Sequence, residues 1–381
     1  MDSAENLGTQ PQPLSFKVIA RSGHARRGEM VTRHGVLQTP LFMPVGTQAT
    51  VKALTPSEIA ETGARMVIMN TYHLWLRPGP EIVHRQGGLH GFSRWPHSIA
   101  TDSGGFQAFS LASLGKIKED GFSFQSHLDG SRRLLTPEES MRIQGLLGSD
   151  IAMQLDVCAK ADASHDELVL ALERTTRWAE RCLAVRNPGQ ALFGIIQGGT
   201  SWELRTRHAA ELERLPFDGL ALGGFSVGEP VELMERLLEQ IVPHIDEARP
   251  RYLMGVGTPA NIVHAIAQGV DMFDCVMPTR NARNGQVFTD SGRLVIKQAR
   301  YKDDSRPLDD SCQCPTCTTQ FSRAYLRHLY MSGELLSHRL LTLHNLHYYG
   351  RIVRLAREAI VRGNFDSWAS EQLARWQQPN L

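Results

Sequence analysis

The sequence contains no apolar run near the roughly 20 residues a helix needs to cross a bilayer, so no membrane partner is expected. It also carries almost no net charge, +1 over 381 residues. A chain without a basic surplus is not built as a general nucleic-acid coat, although local clusters count for more than the sum. Cysteine is sparse: there are six, and three of them crowd into Cys312, Cys314 and Cys317 while Cys158, Cys182 and Cys275 are scattered. That distribution excludes a secreted disulfide framework and points to a reduced, cytoplasmic setting. Residues 1–13 are polar and lack the basic-then-apolar order of a secretory signal. They are expected to form a disordered tail ahead of a folded unit at 14–381.

What is present is rhythm. Short apolar runs recur at residues 41–45, 66–70, 99–103, 151–156, 192–197, 220–224, 251–255 and 272–275. Several lack polar alternation, as strands covered on both faces do. Helical stretches lie between them, and three open with the same signal, Thr55-Pro56, Thr136-Pro137 and Thr258-Pro259. Threonine caps the free N–H groups, and proline fills the first helical position, where its missing N–H costs nothing. No glycine-rich dinucleotide turn follows the first run, which weighs against a doubly wound sheet. Eight runs with intervening helices predict an α/β fold, an irregular (β/α)8 TIM barrel. Residues 16–41, with turns expected at Gly23, Gly28 and Gly35, read as short strands that plug or cover something. Residues 88–95 and 115–133 read as loops, the second with a hairpin at Asp129-Gly130. A segment at about 298–350 breaks the rhythm, and residues 351–362 read as the last barrel helix. The segment is therefore expected to be an inserted C-terminal zinc-binding subdomain.

In such a barrel the chemistry collects where strands end. Those ends carry Asp102, Asp156, Gln197 and Asp274, beside glycine turns at Gly104-Gly105, Gly198-Gly199 and Gly223-Gly224. No histidine or glutamate pair at metal spacing stands among them, which argues against a metallohydrolase barrel. A lone aspartate after a strand is often only a turn residue; three on one rim point to a site. Paired carboxylates beside a flat polar pocket suit retaining glycosyl transfer through a covalent intermediate. Asp and Gln side chains match the donor and acceptor edge of a purine. Cys312, Cys314 and Cys317 supply three thiolates for a structural Zn2+, with His328, His338, His344 or His347 as the fourth ligand. Arg280 and Arg283, on an expected turn just past Asp274, form a small basic patch suited to phosphates or neighbouring nucleotides, with Arg323 and Arg327 further along.

These motifs resemble the tRNA-guanine transglycosylases, the bacterial type most closely. The matching runs are Thr39 to Gly46, Asn70 to Leu74, Thr101 to Gly105, Ser126 to Arg132, Gly194 to Gly199, Tyr252 to Gly257, Asp271 to Cys275 with Pro278-Thr279-Arg280, the cysteine cluster, and Thr342 to Asn345. The resemblance covers roughly residues 14 to 375. It implies a pentosyltransferase that exchanges guanine 34 at the wobble position of tRNAs with a U-G-U anticodon sequence for the queuosine precursor preQ1. Asp274 would be the nucleophile and Asp102 the general acid/base. Ser103, Phe106, Asp156, Cys158, Gln197, Gly223, Gly224, Phe225 and Met254 would line the base pocket. His344 would complete one structural zinc per subunit, and the partners would be a tRNA anticodon stem-loop, guanine or preQ1, and a second copy in a homodimer. For that dimer Phe321, Tyr325, His328 and Leu329 offer a helical face, although a core face fits the pattern equally. Cys158 and Val227 match the preQ1-using pattern, whereas Phe225 stands where leucine is typical and Val157 where an acidic residue is common. The bulk of Phe225 is expected to reshape the rim of the pocket. The alternatives are queuine as the incoming base, or water as the acceptor in a base-releasing N-glycosidase.

Overall fold

The computed structural model describes residues 12–110, 115–160 and 162–377. The expected tail therefore lies outside the described residues except for its last two. Eight parallel strands close into a barrel: β1 (Leu41–Gly46), β2 (Met66–Met69), β3 (Ser98–Thr101), β4 (Ile151–Met153), β5 (Ala191–Ile196), β6 (Gly219–Leu222), β7 (Arg251–Leu253) and β8 (Met272–Cys275). Closure is made where β8 pairs with β1, Met272 opposite Leu41 and Cys275 opposite Pro44. All eight expected runs are strands. Most end one to three residues earlier than the apolar pattern suggests, because their last polar residues leave the ladder to build the mouth.

Alternation sorts the strand residues. Met43, Ile68, Met153, Phe193, Ile195 and Met272 meet in the barrel interior. Phe42, Val67, Ile99, Leu192, Leu220 and Phe273 face the surrounding helices. Both faces are apolar, which is why the runs read as continuous. The three threonine caps are made: Thr55, Thr136 and Thr258 accept from the N–H of Glu58, Glu139 and Asn261.

Ahead of the barrel an antiparallel sheet, Ser15–Ser22, Ala25–Thr32 and Gly35–Thr39, inserts Met30 and Leu37 into the interior cluster. It is a plug at the end of the barrel opposite the strand C-termini. Gly28 is not a turn, as the sequence suggested, but lies within the middle strand. A Cβ there would sit 2.5 Å from the Phe16 ring and 2.8 Å from Thr39 Oγ1.

Three further expectations need correction. Gly88–Ser93 is a short helix, anchored by the fully buried Leu89. Residues 115–133 do hold the expected hairpin, Phe122–Gln125 against Arg132–Leu135 with Asp129-Gly130 in the connection, but Lys116–Ile117 extends it to a three-stranded sheet and the connection is longer than a tight Asp-Gly turn. The helix expected at 351–362 is a 28-residue helix, Leu335–Arg362. Its buried polar residues His344, Asn345 and Tyr348 disguised the first half as an irregular segment. Gly363 ends it in the left-handed region, and a further helix, Phe365–Gln377, follows. Among the described residues no helix is long and apolar enough to cross a membrane.

The plug is tied to the barrel by charge. Arg26 and Asp271 are both fully buried; Arg26 Nε donates to Asp271 Oδ1 at 3.0 Å and its terminal nitrogen to the other oxygen. The remaining N–H groups reach the carbonyls of Glu247 and Arg249 at 2.9 and 2.8 Å. Truncating one partner leaves a buried charge alone. Arg26→Met is therefore expected to lower the unfolding free energy by about 3–5 kcal/mol, measured by urea denaturation; a loss below about 1 kcal/mol would show the pair to be solvated.

Candidate active site

Asp102 follows β3 and is held by the end of the neighbouring strand. Its Oδ1 accepts from the N–H of Thr71 at 2.9 Å and of Gly104 at 3.2 Å, and its Oδ2 from the Asn70 side-chain amide. Burial raises its carboxyl, and the Asp274 charge raises it further, against the N–H of Thr71 and Gly104 and the Asn70 amide; the balance is about 7. Asp274 lies two residues after Met272 on β8, so it rises from the interior face of the barrel into the mouth. The Tyr252 hydroxyl and the Gly255 N–H both donate to its Oδ1, at 2.6 and 2.8 Å. Its other oxygen makes no hydrogen bond among the described residues. Burial raises this carboxyl too, while the two donors favour its charge. Burial keeps the Tyr252 hydroxyl far above its ordinary range, so it remains a donor.

Beside this pair lies a polar edge. Gln197 Nε2 donates to Asp156 Oδ2 at 2.6 Å, and Ser103 Oγ to Asp156 Oδ1 at 3.3 Å. Burial pushes Asp156 up to about 6 against these donors. The Gln197 backbone N–H is fixed by His208 Nδ1 at 2.8 Å; burial drives that imidazole down to about 4, so it stays a neutral acceptor. The turn after β6 lies directly on the Gln197 amide. A Cβ on Gly223 would stand 2.7 Å from Gln197 Nε2, and one on Gly224 2.6 Å from Oε1. Gly224 also has a φ of +67°, so glycine is required there on both counts.

The other expected residues sort as follows. Cys158 lies beside Asp156, its thiol pushed up to about 12 chiefly by burial, so it is a neutral wall and not a nucleophile. Met254 continues β7 and packs on the interior cluster, while Phe106 is 51% exposed on the helix Gly105–Ser110. Phe225 does not crowd the rim as expected: its ring is buried, with the Arg205 guanidinium 3.7 Å from its centroid. The Val157 side chain is buried in the apolar core. Arg280 and Arg283 lie on a helix, Met277–Arg283, rather than a turn. Arg280 is exposed, whereas Arg283 folds back onto the Thr279 carbonyl at 2.9 Å. Arg323 is committed to Asp304 at 3.2 Å, and Arg327 Nε to the Gln298 carbonyl at 3.1 Å. On the face expected to join a second copy, Tyr325 and His328 are exposed, but Leu329 is core. Sequence reasoning did not single out Asn70, Thr71, Arg205, His208 or Tyr252. Only Asn70, at the polar end of an apolar run, gave a signal of the kind used for the aspartates.

The metal candidates converge. Cys312, Cys314, Cys317 and His344 are all buried. His344 Nδ1 lies 3.7, 3.4 and 3.4 Å from the three sulfurs. Zn–S and Zn–N bonds of about 2.3 and 2.0 Å in a tetrahedron require edges of about that length. His344 Nε2 lies 2.8 Å from the Phe288 carbonyl, which fixes the tautomer that turns the Nδ1 lone pair to the thiols. His347 comes within 3.7 Å of Cys312 alone, His328 is exposed, and His338 packs on Tyr330. The residues fit a closed, structural zinc site with His344 as the fourth ligand.

Two outcomes follow from this geometry. Cys314→Ser should lower the metal content seen by elemental analysis and loosen the region around the long helix in hydrogen exchange; folded protein with no zinc before substitution would refute the site. For Asp102, a folded-state value near 7 against an ordinary 3.8 means the folded state holds the extra proton between those limits. Stability therefore falls as pH rises through that window. Asp102→Asn, which cannot ionise, should gain melting temperature over the parent as pH goes from 4 to 8, and a pH-independent difference would refute the shift.

Comparison with known proteins agrees with this architecture. The queuine tRNA-ribosyltransferase family model matches residues 21–378. A queuine tRNA-ribosyltransferase of Sorangium cellulosum is 65% identical over 356 residues, 93% of this chain and 90% of the relative. Proteins of the same name from Moorella thermoacetica and Aromatoleum aromaticum are 52% and 53% identical, covering 95% and 94% of this chain and 98% and 97% of theirs. The chain, a closed barrel with acidic residues at its mouth, belongs to the queuine tRNA-ribosyltransferase family, a family of pentosyltransferases.

Proposed function

We propose that this protein exchanges guanine 34 of tRNAs bearing a U-G-U anticodon sequence for preQ1, by double displacement at the ribose. The observation that supports it most is the inequality of two neighbouring carboxylates. Asp274 has one oxygen held by two donors and the other free of hydrogen bonds among the described residues, which suits a charged nucleophile. Asp102, near 7, is poised to give and take a proton at neutral pH.

The steps balance as follows. The target nucleotide leaves the anticodon loop to reach the mouth. An Asp274 oxygen forms a bond to C1′ as the C1′–N9 bond breaks, and the electron pair leaves with guanine. Protonated Asp102 supplies the proton that the departing base requires. The incoming base gives its N9 proton back to Asp102, N9 attacks C1′, and the Asp274–C1′ bond breaks. Two inversions give net retention. Asp156 and Gln197 hold the purine edge, the Gly223-Gly224 turn and Phe225 present backbone groups to it, and Ser103 keeps Asp156 in place. Cys158 forms a neutral wall, and Met254 and Phe106 supply apolar contact to the base. Arg280, on the helix that follows Asp274, is exposed and makes no ion pair among the described residues, which suits an anticodon phosphate.

Zinc, when bound by Cys312, Cys314, Cys317 and His344, supplies a covalent cross-link and no chemistry at the ribose. A cytoplasmic homodimer is the assembly we propose, with the zinc segment contributing to the contact.

The test is labelled-guanine incorporation into tRNA, followed by competition between preQ1 and queuine. Asp274→Asn should abolish both exchange and the denaturant-resistant tRNA adduct, and Asp102→Asn should slow exchange by about 10²–10⁴-fold. Guanine release without label entering tRNA would show a hydrolase instead, and a preference for queuine would reassign the incoming base.

A further inference from the structure

We infer that Arg205, a residue outside the pocket, is the positioning residue that turns the Gly223-Gly224 turn into a pair of donors for a 6-oxo purine. The inference rests on the base-exchange reading above. Arg205 lies on the helix Trp202–Glu213 and is fully buried. Among the described residues no carboxylate lies within ion-pair distance of it. A buried guanidinium without a counter-charge is costly, and burial pushes this one down to about 9. Its compensation comes from carbonyl oxygens. Nε donates to Gly199 at 2.7 Å, and the two terminal nitrogens to Gly223 at 3.0 Å and Gly224 at 3.1 Å. The Phe225 ring covers its face.

This arrangement has a consequence for the opposite side of the turn. In a trans peptide the C=O and the following N–H point in opposite directions. Arg205 draws the carbonyls of Gly223 and Gly224 to itself and so directs the N–H groups of Gly224 and Phe225 away from itself. Neither N–H has a protein acceptor among the described residues. The next two donors are spoken for, because Glu229 accepts from the N–H of Ser226 at 2.5 Å and of Val227 at 3.0 Å. The turn therefore offers two N–H groups beside the Gln197–Asp156 edge. Both peptides are polarised by the same cation. Two fixed donors suit a purine carbonyl oxygen. They oppose an amino group at that position, which would set hydrogen against hydrogen.

Lysine keeps the charge but cannot reach three carbonyls with a planar fork. The experiment uses the zinc-loaded full chain with R205K, R205M and F225L, and measures KM for guanine, KM for tRNA, kcat, and discrimination between guanine and 2,6-diaminopurine. R205K and R205M should both raise the guanine KM by about 10- to 100-fold, the scale of losing two aligned hydrogen bonds. The tRNA KM should stay within about 3-fold, and the preference for guanine should narrow. F225L keeps the carbonyl contacts and should move the guanine KM less than either. R205K, which preserves size and charge, carries the test if R205M melts below the assay temperature. An unchanged guanine KM and preference in R205K would overturn the assignment, as would full rescue by lysine or a fall in kcat alone. A parent enzyme that incorporates no guanine would instead overturn the exchange reaction itself.

Discussion

Closure of the barrel, made where Met272–Cys275 pairs with Leu41–Gly46, is the constraint on which the site depends. It puts the C-terminal ends of all eight strands on one rim. Residues distant in sequence, Asp102, Asp156, Gln197 and Asp274, therefore share a small volume. The interior beneath them is filled by Met43, Met153, Phe193 and Met272, so water does not reach the mouth from below. Tyr252 belongs to that interior layer, yet its hydroxyl reaches up to Asp274. The packed floor thus fixes the orientation of the carboxylate above it. At the other end the plug depends on the same closure, because Asp271 immediately precedes β8 and holds Arg26.

Crowding three carboxyl groups into one poorly hydrated mouth forbids all of them from ionising freely. The donors around each decide the outcome. Asp274 concentrates two donors on one oxygen; burial still raises its carboxyl, the donors oppose that rise, and the second oxygen has no hydrogen bond among the described residues. Asp102 gathers three donors, but burial and the Asp274 charge together outweigh them. Asp156 is set apart by its neutral partners Gln197 and Ser103. The roles we propose differ because these surroundings differ; the residue type is the same in all three.

The barrel was legible because its signals are local and repeated: apolar runs, threonine-proline caps, glycine turns. The rim aspartates were legible because each follows such a run. Cooperation between elements was not. Thr71 holds Asp102 through its backbone N–H, and His208 accepts from the backbone N–H of Gln197, so the first contact leaves no mark on the type of Thr71 and the second none on that of Gln197. Arg205 sits in a helix whose pattern gives no reason to expect a buried cation. The long C-terminal helix was half hidden because its inward face is polar where it meets the metal site. Gly28 failed as a turn because glycine also marks close approach, here between Phe16 and Thr39.

That helix explains why a closed metal site belongs in an enzyme that does its chemistry elsewhere. The helix Leu335–Arg362 runs from the zinc ligands to the barrel. His344 completes the cysteine set, and the next residue, Asn345, donates to the carbonyls of Pro278 and Gln286 and accepts from the Phe288 N–H. Pro278 opens the short helix that follows Asp274. One turn further, the Tyr349 hydroxyl donates to the Gly257 carbonyl at 2.9 Å, in the loop whose Gly255 N–H holds Asp274. The same helix thus braces both segments that flank Asp274. A metal bound to His344 and the three sulfurs would fix its first half and limit the sliding and rotation that would disturb those contacts. A metal held by Cys312, Cys314, Cys317 and His344 would thus act on the site through the rigidity of this helix.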